Sequence, residues 1–320
     1  MKILAIQNRM GIGDTVIFLP FIKALYKKFN SPISLLVKES TKADQYLFST
    51  DYIDKIIILE RDNESNIRHG GLTGIFNLIK DLKKHKFDKI FIFNSSLRFN
   101  LIARFSKIPQ IFQYPLFRKS QQHIINAPKK FMKEKLNLEV SEDPDIQIDN
   151  LLISESFKKF QINNNELNIL LGIGGSGPTK RIPAKTFLNV IDRIAKVKKC
   201  KFFLATGKNS EEQSILKEIL DSKFGIYCHR LDNLTIKETL PIIKCCNLSI
   251  CNDTSFSHLS AALNVKTITL MADTPLIYGN YNSKMFPIIP DGETTVSHNT
   301  LGKDKINPEK IFNKIIEIIN

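Results

Sequence analysis

The chain predicts two successive α/β units, each a parallel sheet covered by helices. Three observations predict it. Short isoleucine-rich runs alternate with amphipathic helical patterns in both halves. The alternation stops in an irregular, proline-containing stretch and restarts after Asn163-Asn164-Asn165. Glycines follow the opening apolar run of each half, where a parallel sheet carries its ligand loops.

In the first half the strand-like runs are KILAIQ (2–7), ISLLVK (33–38), DKIIIL (54–59) and DKIFIFN (88–94). They are continuous apolar runs between turn residues, as expected of strands buried on both faces. In 15–29, Val16, Leu19, Ile22, Ala24, Leu25 and Phe29 recur at helical spacing, as do Leu72, Ile75, Phe76, Ile79 and Leu82 in 72–85. Residues 109–165 hold Pro109, Pro115, Pro128 and Pro144 and end in a polar linker. The second half repeats the pattern, with strands at 168–173, 201–206, 247–252 and 266–271 and helices at 184–198, 211–221, 235–246 and 256–263. A last amphipathic helix spans about 307–319. The domains are therefore expected at 1–165 and 166–305, with a C-terminal helix at 306–320.

The 320 residues suit two domains of roughly 150 each. The net charge is +14, with 26 Lys+Arg against 17 Asp+Glu in residues 1–160. Between Arg98 and Lys135, nine cations, among them Arg118 and Lys119, face only Glu134. Such a surface either suits an anionic partner (nucleic acid, lipid or an acidic substrate) or is a set of solvated lysines in a Lys-rich chain. No recognised nucleic-acid module accompanies it, so no nucleic-acid partner is expected. Five cysteines without a C-x-x-C pair, and no signal-peptide core at the start, point to a reducing cytoplasm. No apolar run approaches the ~20 residues of a membrane span.

Four loops carry candidate chemistry. Gly11, Gly13 and Asp14 follow the first strand. A carboxylate there repels phosphate, so Asp14 is either a helix cap or a base. Gly172, Gly174, Gly175, Ser176 and Gly177, with Thr179, Lys180 and Arg181, form a small-residue loop that can meet a phosphate. Glu211 and Glu212 open a helix after Gly207, where a carboxylate can hold ribose hydroxyls or simply favour the helix start. Asp253, Thr254, Ser255 and His258 follow a strand's carboxyl end, as ligands or as cap and core residues.

Their order is the informative feature. Gly13-Asp14-x5-Pro20, the glycine loop with Lys180-x-x-Pro183, Gly207-x3-Glu211, and Asp253-Thr254-x3-His258-Leu259-x-Ala261-Ala262 resemble glycosyltransferase family 9, the ADP-heptose:lipopolysaccharide heptosyltransferases. The resemblance covers nearly the whole chain. It implies a GT-B fold, two Rossmann-like domains facing each other across a cleft, with the donor on the second and the acceptor on the first. In such proteins the C-terminal helix often crosses back to the first domain, which suits 307–319.

The resemblance further implies an inverting, metal-independent transfer of a sugar from a nucleotide-diphosphate donor (ADP-heptose) to an anionic glycolipid such as a lipopolysaccharide core, without a cofactor. Asp14 matches the base that deprotonates the acceptor hydroxyl. Lys180 matches the lysine that neutralises the diphosphate, with Gly175, Ser176 and Thr179 in the same loop. Glu211 aligns best with the ribose-binding glutamate and Glu212 second. Asp253, Thr254 and Ser255 match the phosphate- and sugar-holding segment, supported by His258. The place implied is the cytoplasmic face of the inner membrane, where the basic 98–135 region would meet acceptor phosphates or anionic lipid.

This chain departs from the family where Arg181-Ile182-Pro183 stands in place of a usual Trp, and where Ser255 replaces a common Gly. LMADTPLIYGNYN (270–282) only loosely matches the Gly-x-Thr loop near the donor base. These departures bear on which sugar and nucleotide are used. A different GT-B transferase, acting on O-antigen, capsule or protein, is the alternative enzyme. Asp143-Pro144-Asp145 mimics a metal-binding Asp-x-Asp but sits in the irregular stretch and reads as solvated linker.

Overall fold

The computed structural model describes residues 1–61, 67–116, 124–141 and 143–320. It divides into two compact units, Met1–Gln147 and Ile148–Asn320. Arg118 and Lys119 of the basic stretch lie outside the described residues.

The first unit runs β1 (Ile3–Ile6), α1 (Ile12–Phe29), β2 (Ile33–Lys38), β3 (Ile53–Leu59), α2 (Thr73–His85), β4 (Lys89–Ile92), α3 (Leu97–Phe105), β5 (Gln110–Gln113) and α4 (Asn126–Leu136). Its all-parallel sheet has the order β3-β2-β1-β4-β5. Alternation along β1 sends Leu4 and Ile6 to the face covered by Leu78, Ile79 and Leu82 of α2 and Phe99, Ile102 and Ala103 of α3. The expected strands are all present. The strand at β5 was not expected, because four residues with Gln at both ends give no apolar run.

The second unit runs α5 (Asn150–Lys159), β6 (Leu167–Gly172), α6 (Ala184–Ala195), β7 (Cys200–Ala205), α7 (Ser210–Leu220), β8 (Cys228–Arg230), α8 (Ile236–Lys244), β9 (Leu248–Asn252), α9 (Ser255–Ala262), β10 (Lys266–Leu270), β11 (Met285–Ile288) and α10 (Pro308–Ile319). Its parallel sheet has the order β8-β7-β6-β9-β10-β11, the same winding as the first with one strand added. Both units are Rossmann-like, the fold class expected.

The units divide between residues 147 and 148 rather than at 165/166. Helix α5, inside the stretch read as irregular, packs on α8 and so belongs to the second unit. The asparagine stretch is a tight entry into β6. Asn163 Oδ1 accepts from the Asn165 N–H at 2.9 Å, and Asn168 Nδ2 donates to the Asn163 carbonyl at 3.0 Å. The C-terminal helix buries Ile311, Ile315 and Ile318 in the second unit's core, against α6 and β10.

The Asp143-Pro144-Asp145 segment is anchored, not a solvated linker. Asp145 accepts from Lys23 Nζ at 3.1 Å, and its carbonyl accepts from the Tyr52 hydroxyl at 2.5 Å. Among the described residues no cluster of three or more acidic, His or Cys side chains could hold a metal ion, and no helix is long and apolar enough to cross a membrane.

Candidate active site

In an open doubly wound sheet, ligands bind beyond the strand carboxyl ends where the strand order reverses. In the second unit that point lies between β6 and β9. The loops leaving these two strands carry Lys180 and Asp253, and the fold brings them together. Lys180 Nζ donates to Asp253 Oδ2 at 2.8 Å, with the side chains 22% and 5% exposed. Burial pushes the Asp253 carboxyl up, but His258, Lys180 and the Thr274 hydroxyl outweigh it and hold the group below its ordinary value.

A chain of contacts continues inward from Asp253. His258, one turn into α9, places Nε2 3.8 Å from Asp253 Oδ1. Its Nδ1 lies 2.8 Å from the Tyr281 hydroxyl, whose ring stacks on the imidazole at 5.6 Å. His258 is thus buried, as a core histidine would be, and also faces the acidic group. Thr254 is the N-cap of α9 but makes no side-chain capping bond, and its buried hydroxyl has no partner among the described residues. Ser255 opens the helix, half-buried.

The glycine loop is held from two sides. Asn252, fully buried at the end of β9, donates from Nδ2 to the carbonyls of Ile173 (2.9 Å) and Gly174 (3.0 Å). Buried Glu212 accepts the Gly175 N–H at 2.6 Å. A Cβ at Gly174 or at Gly207 would lie 2.6 or 2.5 Å from a Glu212 oxygen, so a side chain at either position would push the Glu212 carboxylate from its place under the loop. Arg181 Nε donates to the Gly175 carbonyl at 3.0 Å while its guanidinium pairs with the exposed carboxylate of Glu211. The two adjacent glutamates therefore divide: Glu212 supports the loop from beneath, and Glu211 stands at its rim. Ser176 is exposed and Thr179 half-buried. The Thr179 hydroxyl reaches Asp273. Burial raises the Asp273 carboxyl, but the Leu301 N–H, Thr179 and neighbouring groups lower it further.

Around the same strand ends, Thr206 Oγ1, Asn252 Oδ1 and Thr254 Oγ1 are buried without a hydrogen-bond partner among the described residues. Each unpaired buried polar atom costs about 1–3 kcal/mol and calls for an explanation. Three of them cluster at the carboxyl end of one sheet, beside the Lys180–Asp253 pair. The sequence reading passed over Asn252 and Tyr281. A polar residue closing an apolar strand was a usable signal for Asn252; nothing local singles out Tyr281.

In the first unit, the loop leaving β1 carries Asp14 at the third position of α1. Its Oδ2 accepts the Gly11 N–H at 3.2 Å, so the capping role is real. Asp14 remains half-buried at the carboxyl end of the central strand, at this unit's own β1/β4 reversal point. Capping occupies one oxygen of a two-oxygen group.

The basic 98–135 stretch is less free than its composition suggests. Arg98 donates to the carbonyls of Gly71 (2.8 Å) and His69 (2.6 Å), and Lys130 and Lys133 pair with Glu134 (3.7 Å) and Glu139 (2.6 Å).

Comparison with known proteins identifies the family and the fold. The model of Glycosyltransferase family 9 (heptosyltransferase) matches residues 75–314. Lipopolysaccharide heptosyltransferase 1 of Campylobacter coli is 24% identical across 95% of this chain and 93% of that relative. Lipooligosaccharide heptosyltransferase 2 of Campylobacter jejuni is 26% identical across 94% and 93%. Among solved structures, a family 9 glycosyl transferase from Veillonella parvula superposes with a TM-score of 0.79 at 17% identity, covering 99% of this chain and 97% of that one. E. coli ADP-heptose lps heptosyltransferase II gives 0.74 at 15% identity, covering 100% and 98%. An E. coli heptosyltransferase solved with ADP gives 0.72 at 13% identity, covering 99% and 100%. With two Rossmann-like units and a family model matched across most of its length, the chain belongs to glycosyltransferase family 9, the heptosyltransferases.

Proposed function

We propose that the protein transfers a heptose from ADP-heptose to a hydroxyl of an anionic lipopolysaccharide-core acceptor, with inversion at the anomeric carbon and without a metal. The observation that carries the donor half is the Lys180–Asp253 pair at the β6/β9 reversal point, ringed by unpartnered polar atoms. The choice of ADP and heptose rests on the family and on the ADP bound in an E. coli relative.

In this reading Lys180, the small-residue loop with Gly175, Ser176 and Thr179, and the uncapped start of α9 with Thr254 and Ser255 receive the donor diphosphate. Lys180 is held in place by Asp253, which His258 faces from its other oxygen. As the glycosidic C–O bond breaks, negative charge grows on the leaving diphosphate, and a preorganised cation stabilises it. Glu211, at the rim, takes the ribose hydroxyls. Asp14 takes the proton of the acceptor hydroxyl as that oxygen attacks the anomeric carbon from the face opposite the leaving nucleotide. The displaced ADP carries away the electron pair, so one base is sufficient.

The test is a transfer assay with ADP-heptose and a heptose-deficient lipopolysaccharide core, read by mass spectrometry, with product configuration read by NMR. A single heptose added with inverted configuration supports the reading. Retention, or transfer unaltered by Asp14→Ala, contradicts it.

A further inference from the structure

The helical face of the first unit is apolar on both sides. Beneath, Leu78, Ile79, Leu82, Phe99, Ile102 and Ala103 fill the core. Outside, Leu72 is 78% exposed, Phe76 71%, Leu97 41%, Leu101 36% and Phe105 62%. Core packing leaves these five unexplained. Leu97, Leu101 and Phe105 recur every fourth residue, one stripe along α3, and Leu72 and Phe76 are one turn apart at the start of α2. The crossovers β3-α2-β4 and β4-α3-β5 run in the same direction across the sheet, so right-handedness places both helices on one face. Arg98 ties the start of α3 to the carbonyls of His69 and Gly71, beside the start of α2. Five large apolar side chains exposed on two neighbouring helices of one face suit an interaction site.

Its charge names the partner. Residues 67–108 hold nine Lys+Arg against Asp81 and Asp88 alone. Both acids are engaged: Asp81 by Arg68, His69 and Lys84, and Asp88 by the Lys2 N–H. Lys80, Lys83, Arg104 and Lys107 stand exposed along the apolar stripes. A second copy of this chain would oppose like charge to like charge. An anionic bilayer accepts both features, with apolar side chains below the headgroups and cations at phosphate level. We propose that the outer face of α2 and α3 docks on an anionic lipid surface. This face keeps Arg104 and Lys107 of the 98–135 stretch, leaves out Arg98, Lys130 and Lys133, which are engaged elsewhere, and stands apart from the transfer chemistry.

The experiment is cosedimentation of the full chain with phosphatidylglycerol-rich and with pure phosphatidylcholine vesicles, alongside light scattering. Leu72→Ser/Phe76→Ser and Lys80→Glu/Lys83→Glu are the variants. The expected result is binding to anionic vesicles only, weakened about tenfold or more by either pair, at an unchanged melting temperature. Binding unaltered in both variants overturns the proposal. So does absence of wild-type binding, and so does a dimer that Leu72→Ser/Phe76→Ser dissolves.

Discussion

Lys180 and Asp253, 73 positions apart, meet at 2.8 Å because the loops after β6 and β9 leave neighbouring strands in the same direction. The pair couples stability to ligand binding. Removing the ammonium leaves a buried carboxylate with one fewer partner, a cost of about 1–3 kcal/mol. Lys180→Ala is therefore expected to lower the melting temperature, and Lys180→Ala/Asp253→Asn to recover part of it. Thermal melts of the three proteins check this. Equal melting temperatures would mean the pair contributes nothing to the fold.

The adjacent glutamates are predicted to separate by phenotype. Glu212→Ala removes the acceptor of a buried N–H and opens space under two glycines, at about 1–3 kcal/mol. Glu211→Ala touches only a rim pair and is expected within about 0.5 kcal/mol of wild type, while weakening ADP more than it weakens inorganic pyrophosphate. Urea unfolding and calorimetric titration read the two effects.

Asn252→Ala frees the carbonyls of Ile173 and Gly174 from the strand that holds them. It is predicted to destabilise by about 1–3 kcal/mol and to increase hydrogen exchange at the loop amides 174–177. Exchange unchanged at those amides would show that Glu212 and Arg181 hold the loop without Asn252.

Tyr281→Phe keeps the ring stack on His258 and removes only the hydroxyl at Nδ1. That hydroxyl fixes the orientation of the ring whose Nε2 faces Asp253. The variant is expected to melt as wild type does but to bind ADP several-fold more weakly, while Tyr281→Leu is expected to lose both. ADP affinity unchanged in Tyr281→Phe would confine Tyr281 to packing.

Asp253 and Asp273 both have carboxyl groups held below their ordinary value in the fold. A depressed folded pKa means the unfolded chain binds the proton more readily. Their stabilisation is complete above about pH 4, the unfolded carboxylate range, and is lost as pH falls through the lower folded values. Urea unfolding at falling pH should show a shallower acid arm in Asp253→Asn than in wild type.

Much of this fold is legible in the sequence, because β1, β2, β4, β6, β7, β9 and β10 are apolar runs of the kind a covered parallel sheet buries, and the edge strand β3 still carries the apolar run Ile56–Leu59. β5, β8 and β11 escape notice as edge strands of three or four residues, two of them beginning or ending in polar side chains. Phe76 is at helical spacing with the α2 core residues, yet it is 71% exposed. Spacing defines a helix's apolar stripe but not which of two apolar faces meets the sheet. The motif order placed Lys180, Asp253 and His258 at one sheet edge, whereas the division of labour between Glu211 and Glu212 depends on the phase of α7 against a loop 37 residues away.

The most direct test is calorimetric titration of ADP into the wild-type chain and into Lys180→Ala. Binding by the wild type, weakened at least about tenfold by loss of one charge-assisted contact, is the predicted result. ADP binding of equal strength in the two proteins, or none in a folded wild type, would contradict a donor site at the Lys180–Asp253 pair.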